Sequence, residues 1–184
     1  MTVKECINLA ATQLGIAEEV GGWLDGSGDA DGTKKGDLLL ICFNIVENEL
    51  ALDYFPLTAE DTLETEGGIV HFSELQNDAV RVVKVCDEWG NSIPFTLYPA
   101  YLKTQPGRVC ITYTYTPKKK SVDGVSDFAA NVPARLLAYG MAAEYSMATG
   151  AFEDAGVWDR KYKDGIRASY RVQKCKQIRS RRWV

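Results

Sequence analysis

The chain has 184 residues, of which 46% are hydrophobic and 25% are charged, and its formal net charge is −4. This balance is typical of a folded globular protein and excludes a chain that is disordered throughout. The sequence has no apolar run of about 18 residues, and residues 1–15 lack a cationic segment followed by an apolar block. We therefore expect neither a membrane span nor a signal peptide.

The charged residues are segregated along the chain. Residues 1–80 contain three Lys against 16 acidic residues, residues 81–159 contain eight of each sign, and residues 160–184 contain ten Lys or Arg against one Asp. An acidic front and a basic end predict a protein that meets partners of different charge at its two ends.

Few residues suited to catalysis or metal binding are present. The five cysteines are scattered and form no CxxC pair, which favours reduced thiols in a cytosolic compartment, and His71 is the single histidine. The Asp and Gly loop at 25–32 lacks the carboxylate at the closing position of a calcium loop. We therefore predict no catalytic residue, no cofactor and no metal, and we expect that the protein is not an enzyme.

Two helices are predicted in the first third of the chain. Thr2 and Glu5 form a capping-box pattern that begins a helix over about 3–14, and a second helix is predicted over about 33–54, ahead of Pro56. The residues expected on the buried face of the second helix are Leu38, Ile41, Cys42, Ile45, Val46, Glu49 and Leu52, and those expected on its exposed face are Asn44, Glu47 and Asn48.

The middle of the chain changes to the two-residue period of β-strands. Residues 80–86 and 93–98 are predicted to pair as a hairpin around a turn in which Trp89 either marks an exposed contact or packs within the chain. Residues 108–116 alternate apolar positions with mostly threonine positions, which predicts a strand with one packed face. The acidic residues 58–68 are predicted to form a surface segment.

Two further helices are predicted in the last third. The first, over about 132–149, combines large apolar residues with Ala and Gly on all sides, which predicts a thin helix in the middle of the core. The second, over about 153–178, should pack through one face and expose cations on the other. We call these cations, Arg160, Lys163, Arg167 and Arg171, the basic ridge, and it is a candidate contact for DNA or for a protein partner.

The elements together predict the α+β class. We expect a four-helix core with a small antiparallel β-insertion, at about 69–117, between the second and third helices. Residues 1–173 would form a single domain, and an extended basic C-terminal tail would follow at 174–184.

The C-terminal tail is the most informative segment of the sequence. Its notable residues are Lys174, Lys176, Arg179, Arg181, Arg182, Trp183 and Val184. Cations that complement a helix C-terminus would explain the charges but would leave the tryptophan without a role. A contact with nucleic-acid phosphates is a second interpretation. We favour a protein anchor, in which Trp183 fills a pocket of the partner and the arginines bind its carboxylates.

Three segments together resemble a known family. Residues 44–57, the thin helix at 132–145 and the ending at 179–184, Arg-Ser-Arg-Arg-Trp-Val, follow an order similar to that of the head–tail connector (adaptor) proteins of tailed bacteriophages. The resemblance is architectural and covers most of the chain. None of the three segments is a catalytic signature, so the resemblance lies in their order. It implies a ring, commonly of twelve copies, which lies below the portal and surrounds a channel for double-stranded DNA. It also implies a C-terminal segment that docks on the portal.

The same resemblance implies a structural protein of the virion neck, present in the host cytoplasm during assembly. Its partners would be the portal protein, the next tail or neck protein, further copies of itself and the DNA that passes through the channel, with no membrane partner. The alternative function is a nucleic-acid-binding module that uses the basic ridge.

Overall fold

The computed structural model describes residues 1–128 and 132–173, with side chains up to residue 169. Five α-helices lie in this part of the chain: α1 (Val3–Leu14), α2 (Ala17–Leu24), α3 (Ala30–Glu49), α4 (Ala134–Ala148) and α5 (Phe152–Gln173). Six strands lie between α3 and α4: β1 (Leu57–Thr65), β2 (Ile69–His71), β3 (Ala79–Asp87), β4 (Thr96–Leu97), β5 (Tyr101–Lys103) and β6 (Gly107–Tyr115).

The chain divides into two compact units, and one of them is discontinuous in sequence. Residues 1–46 and the described residues from 120 onward form a helical unit, whereas residues 47–119 form a β unit. The structure belongs to the α+β class, but its described part has five α-helices and two three-stranded sheets. The predicted four-helix core with one small β-insertion is therefore wrong.

The helix that we missed is α2, which has almost no signal in the sequence. Its eight residues include Gly21 and Gly22, Val20 is its one buried residue, and Ile16 before it provides no side-chain cap. Each glycine lowers intrinsic helix stability by about 1 kcal/mol relative to alanine. Because α2 packs against α1, tertiary contact compensates for its weak local preference.

The beginning of α1 agrees with the sequence prediction. The Thr2 hydroxyl accepts a hydrogen bond from the Glu5 N–H (3.2 Å), and the Glu5 carboxylate accepts one from the Thr2 N–H (3.4 Å). The predicted capping box is thus confirmed. The Val3 N–H donates to the Gly124 carbonyl (3.0 Å), which ties the beginning of α1 to the segment that precedes α4.

The buried face of α3 differs in part from the predicted one. The exposed fractions are 51% for Ile41 and 45% for Ile45, whereas Glu47 is 1% exposed. The buried apolar stripe of α3 consists of Leu39, Cys42, Phe43 and Val46, and Leu50, directly after the helix, is also buried. Several apolar stripes on α3 have helical spacing, so periodicity alone does not distinguish them. Packing does, because Val46 meets α4 at Gly140, where the missing side chain allows close approach.

The thin helix α4 is confirmed as a core element, because it packs against both α1 and α5. Its buried residues are Leu136, Leu137, Ala138, Gly140, Met141, Ala142, Ala143, Tyr145 and Ser146. Helix α5 packs through Ala155, Tyr162 and Ile166, all of them on the face that the sequence predicts to be buried.

Two antiparallel sheets form the β unit. β6 lies between β1 and β3 in the first sheet, and β5 lies between β2 and β4 in the second. β1 covers most of residues 58–68, the acidic residues that we predicted to form a surface segment. The strand partner of β3 is β6, so the predicted pairing of 80–86 with 93–98 is wrong beyond the turn. Next to the turn, the Ile93 N–H donates to the Val85 carbonyl (2.9 Å). Across that turn Cys86 and Ser92 form an isolated bridge.

A buried carboxylate completes the core of the β unit. Asp61 on β1 is 6% exposed, and its Oδ2 accepts hydrogen bonds from the Tyr113 hydroxyl (2.7 Å) and the Gln76 N–H (2.8 Å). Burial, together with the hydrogen bond to Asp61, raises the pKa of Tyr113. The sequence did not predict β1 as a strand. Asp61 explains why, because an acidic residue on the inward face interrupts the apolar alternation that is typical of a strand.

Candidate interaction surfaces

The structure places the described part of the basic ridge on the exposed face of α5. Arg160, Lys163 and Arg167 are all exposed. Lys163 Nζ pairs with Asp159 Oδ2 (2.7 Å), and Arg167 Nη1 pairs with Asp164 Oδ1 (3.2 Å). These carboxylates neutralise part of the ridge, so its local positive charge is smaller than the count of cations suggests.

The C-terminal tail, residues 174–184, lies outside the described residues. It contains the predicted docking residues Lys174, Lys176, Arg179, Arg181, Arg182, Trp183 and Val184. The backbone of Arg171 belongs to α5, but its side chain also lies outside the described part. The protein anchor therefore stays a prediction from the sequence.

An aromatic and cationic cluster on α4 and α5 was missed by sequence reasoning. The Tyr139 and Trp158 rings stack with their centroids 5.9 Å apart, and Lys161 Nζ lies 4.0 Å from the Trp158 ring centroid. Arg135 Nε donates to the Tyr139 hydroxyl (2.5 Å). The signal was present, because Arg135 with Tyr139 and Trp158 with Lys161 have the four- and three-residue spacing of helix neighbours. This cluster joins α4 to α5 at the surface of the helical unit.

The Trp89 turn, residues 87–91, presents an indole to solvent. Trp89 is 79% exposed. Asp87 Oδ1 accepts hydrogen bonds from the Trp89 N–H (2.9 Å) and the Asn91 N–H (2.8 Å), and Gly90 has a left-handed φ of 82°. Hydrogen bonds hold the pKa of Asp87 below its ordinary value. The hydrogen bond from the Asn91 side chain contributes most, and those from the backbone N–H groups add to it. The sequence left two interpretations of Trp89 open, an exposed contact or packing within the chain. The exposure of its side chain favours the first.

A shallow cleft of about 560 Å³ lies beside this turn. Its lining includes three carboxylates, those of Glu64, Asp87 and Glu88, against the single cation of Arg108. An exposed indole next to an excess of negative charge can bind a cationic group of a partner against its ring face. Tryptophan is also one of the residue types that are enriched among interface hot spots.

The Asp and Gly loop before α3 has a structural explanation. Asp29 Oδ1 accepts a hydrogen bond from the Gly32 N–H (2.7 Å) in the first turn of α3. Lys35 pairs with Asp31 (2.8 Å) and with Glu19, and these hydrogen bonds raise the pKa of Lys35. Within the described ranges, no group of three His, Cys, Asp or Glu residues is placed to hold a metal ion.

The single histidine makes an aromatic contact at the end of β2. His71 is exposed, and its ring lies tilted against that of Tyr101 with the centroids 5.8 Å apart. Tyr101 in turn stacks on Tyr98, with the ring centroids 4.6 Å apart. The imidazole therefore belongs to a small aromatic group on the second sheet.

Comparison with known proteins identifies no family for this chain. No family model matches the sequence, and no curated protein is significantly similar to it. Among the helices in the described part, none combines the length and the apolar character needed to cross a bilayer.

Proposed function

We propose that this chain is a structural adaptor of a tailed bacteriophage, which forms a ring below the portal, joins capsid to tail and lets double-stranded DNA pass. The observation that carries the proposal is the order of units along the chain. The helical unit is interrupted in the last turn of α3 by the β unit, continues with α4 and α5, and is followed in the sequence by the basic tail. This order is the one that the resemblance to adaptor proteins implies.

The exposed apolar side chains support an assembly protein. They lie on separate elements: Ile41 and Ile45 on α3, Trp89 on the β unit, and Phe152, which is 67% exposed, at the start of α5. A ring subunit needs different surfaces for its two neighbours, because each ring contact joins two unlike patches. Further copies of the chain, the portal and the next neck or tail protein are the partners that such surfaces would serve.

Deletion of the tail tests the proposal directly. The full-length protein mixed with its portal ring should give a stoichiometric ring complex, seen by size-exclusion chromatography with light scattering and by negative-stain microscopy. Removal of residues 174–184 should weaken portal binding by about 100-fold or more, because the tail combines a tryptophan with five cations. Trp183→Ala alone should account for about a tenfold loss or more.

Arg160→Gln is the matched control, since it removes one exposed cation of α5 that lies outside the tail. It should change portal binding by less than about threefold. The proposal fails if the full-length protein does not bind the portal and deletion of 174–184 changes nothing.

A second candidate function, a nucleic-acid-binding module, is favoured by three exposed cations on one face of α5. If Arg160, Lys163 and Arg167 each contact one phosphate, log affinity for duplex DNA should fall with log salt at a slope of roughly −2.7. The variant with all three changed to Gln should lose this binding. Absence of measurable binding at low salt would exclude this function, whereas it would leave the adaptor proposal intact.

A further inference from the structure

Two cysteines face each other across neighbouring strands. Cys86 on β3 and Cys110 on β6 are direct partners in the antiparallel register, and both are thiols. The adjacent pair, Val85 and Ile111, is fully buried on the core face, so Cys86 and Cys110 lie on the opposite face of the sheet. Direct antiparallel partners have Cα atoms about 4.5–5.5 Å apart. A disulfide requires roughly 4.4–6.8 Å between the two Cα atoms, so the Cα separation of this pair is compatible with a disulfide.

The two thiols differ in their access to solvent. Cys86 is 6% exposed, whereas Cys110 is half-buried and lines a cleft of about 290 Å³. On the same face the Lys84 ammonium interacts with the Cys86 sulfur, and the Glu60 carboxylate interacts with Cys110. A small reagent therefore reaches Cys110 first. Burial raises the pKa of the Cys110 thiol, so a larger share of it becomes the attacking thiolate as the pH rises.

We propose that Cys86 and Cys110 form a dithiol site that a small disulfide, such as glutathione disulfide, converts reversibly to a cross-strand disulfide. The Cys110 thiolate attacks one sulfur of the small disulfide, whose S–S bond breaks and releases one thiolate. The Cys86 thiolate then attacks the Cys110 sulfur of this mixed disulfide and displaces the second thiolate. Two protein thiols are thus oxidised, one small disulfide is reduced to two thiols, and the two thiol protons pass to the leaving groups.

The crosslink would lie where regular pairing of β3 with β6 follows two irregularities. The register shifts between Ala79 and Arg81 and again between Val82 and Lys84. Cys86 is also bridged to Ser92, at the base of the Trp89 turn. The oxidised form would therefore hold both β6 and this turn against the end of β3. This site does not depend on the adaptor function, and either proposal can fail without the other.

The test uses the full-length chain with Cys175→Ser, which removes the thiol of the tail. The folded protein is incubated with glutathione disulfide, blocked with iodoacetamide and mapped by mass spectrometry. We expect a linked peptide pair that contains Cys86 and Cys110, while Cys6 and Cys42 are recovered as thiols that react after denaturation. The Tm should rise by on the order of 10 °C on oxidation, and dithiothreitol should reverse both changes.

Two variants test the order of the steps. Cys86→Ser should stop at a mixed disulfide on Cys110, and Cys110→Ser should slow the reaction with glutathione disulfide several-fold, because Cys86 is 6% exposed. The proposal is overturned if the folded Cys175→Ser protein yields no Cys86–Cys110 link, or if the link forms only in denaturant. A link from Cys86 or Cys110 to Cys6 or Cys42 would overturn it equally.

Discussion

Replacement of Gly140 by valine is expected to destabilise the helical unit by about 3 kcal/mol. A Cβ at this position would lie 2.6 Å from Val46 Cγ1 and 3.0 Å from Tyr162 Cε2. Valine adds two further methyl groups where α3, α4 and α5 meet, and such overpacking costs roughly 1–3 kcal/mol, occasionally more. Thermal unfolding followed by far-ultraviolet circular dichroism should show a Tm lowered by roughly 6–12 °C.

Gly156 provides the matched control for this prediction. It is also a helical glycine, in α5, but a Cβ there would meet no atom within 4 Å. Gly156→Ala should therefore gain up to about 1 kcal/mol from helix propensity. Val46→Ala should restore part of the stability that Gly140→Val loses, because it removes the methyl groups nearest to the new side chain. An unchanged or higher Tm for Gly140→Val would contradict the close contact at this position.

Loss of the Tyr113 hydroxyl is expected to destabilise the β unit by about 2 kcal/mol. This hydroxyl donates to Asp61 Oδ2 at 2.7 Å and accepts from the Asn77 N–H at 3.3 Å. Tyr113→Phe leaves the buried carboxylate with one donor fewer, and a hydrogen bond to a charged group contributes roughly 1.5–3 kcal/mol. Hydrogen exchange of peptides from β1 and β6 at increasing urea measures the change within this unit.

The same contact predicts a loss of stability at alkaline pH. The pKa of Tyr113 is raised above its ordinary value of 10.0 by burial and by Asp61. Above pH 10.0 the unfolded chain loses the phenolic proton while the folded chain retains it, so the folded state binds more protons. Stability should therefore fall as the pH rises from this value through the pKa of the folded state.

Tyr113→Phe should remove the part of this alkaline loss that comes from the phenol. Tyr98→Phe is the control, since Tyr98 is 41% exposed, and its stability should change by less than about 0.5 kcal/mol. Equal effects of the two substitutions, in either the urea or the pH experiment, would show that the Tyr113 hydroxyl contributes nothing specific.

Features set by a few neighbouring residues could be predicted. The capping box of α1 depends on Thr2 and Glu5, three positions apart, and the packed face of β6 follows from alternation within nine residues. The packed and exposed faces of α5 follow in the same way from helical spacing. The exposure of the basic ridge was therefore predictable. We did not predict that Asp159 and Asp164 would neutralise part of its charge.

The candidate surfaces depend on contacts between distant segments. The local sequence predicts that Trp89 lies in a turn, but its 79% exposure depends on whether any distant segment covers it. Cys86 and Cys110 are also unremarkable in the sequence. They become a pair because the register of β3 on β6 aligns them. That register includes two shifts, which no local sequence pattern predicts.

The amino-acid sequence was thus sufficient to predict which faces of the helices and strands are apolar, because this depends on side chains within a few positions of each other. The segregation of charge can be read from the sequence directly. The assembled fold was needed for the buried stripe of α3, for the existence of α2 and for the choice of β6 as the partner of β3. Each of these is a competition between segments far apart in the chain. Its outcome depends on close contacts, such as that of Val46 with Gly140, and on partners such as Tyr113 for Asp61.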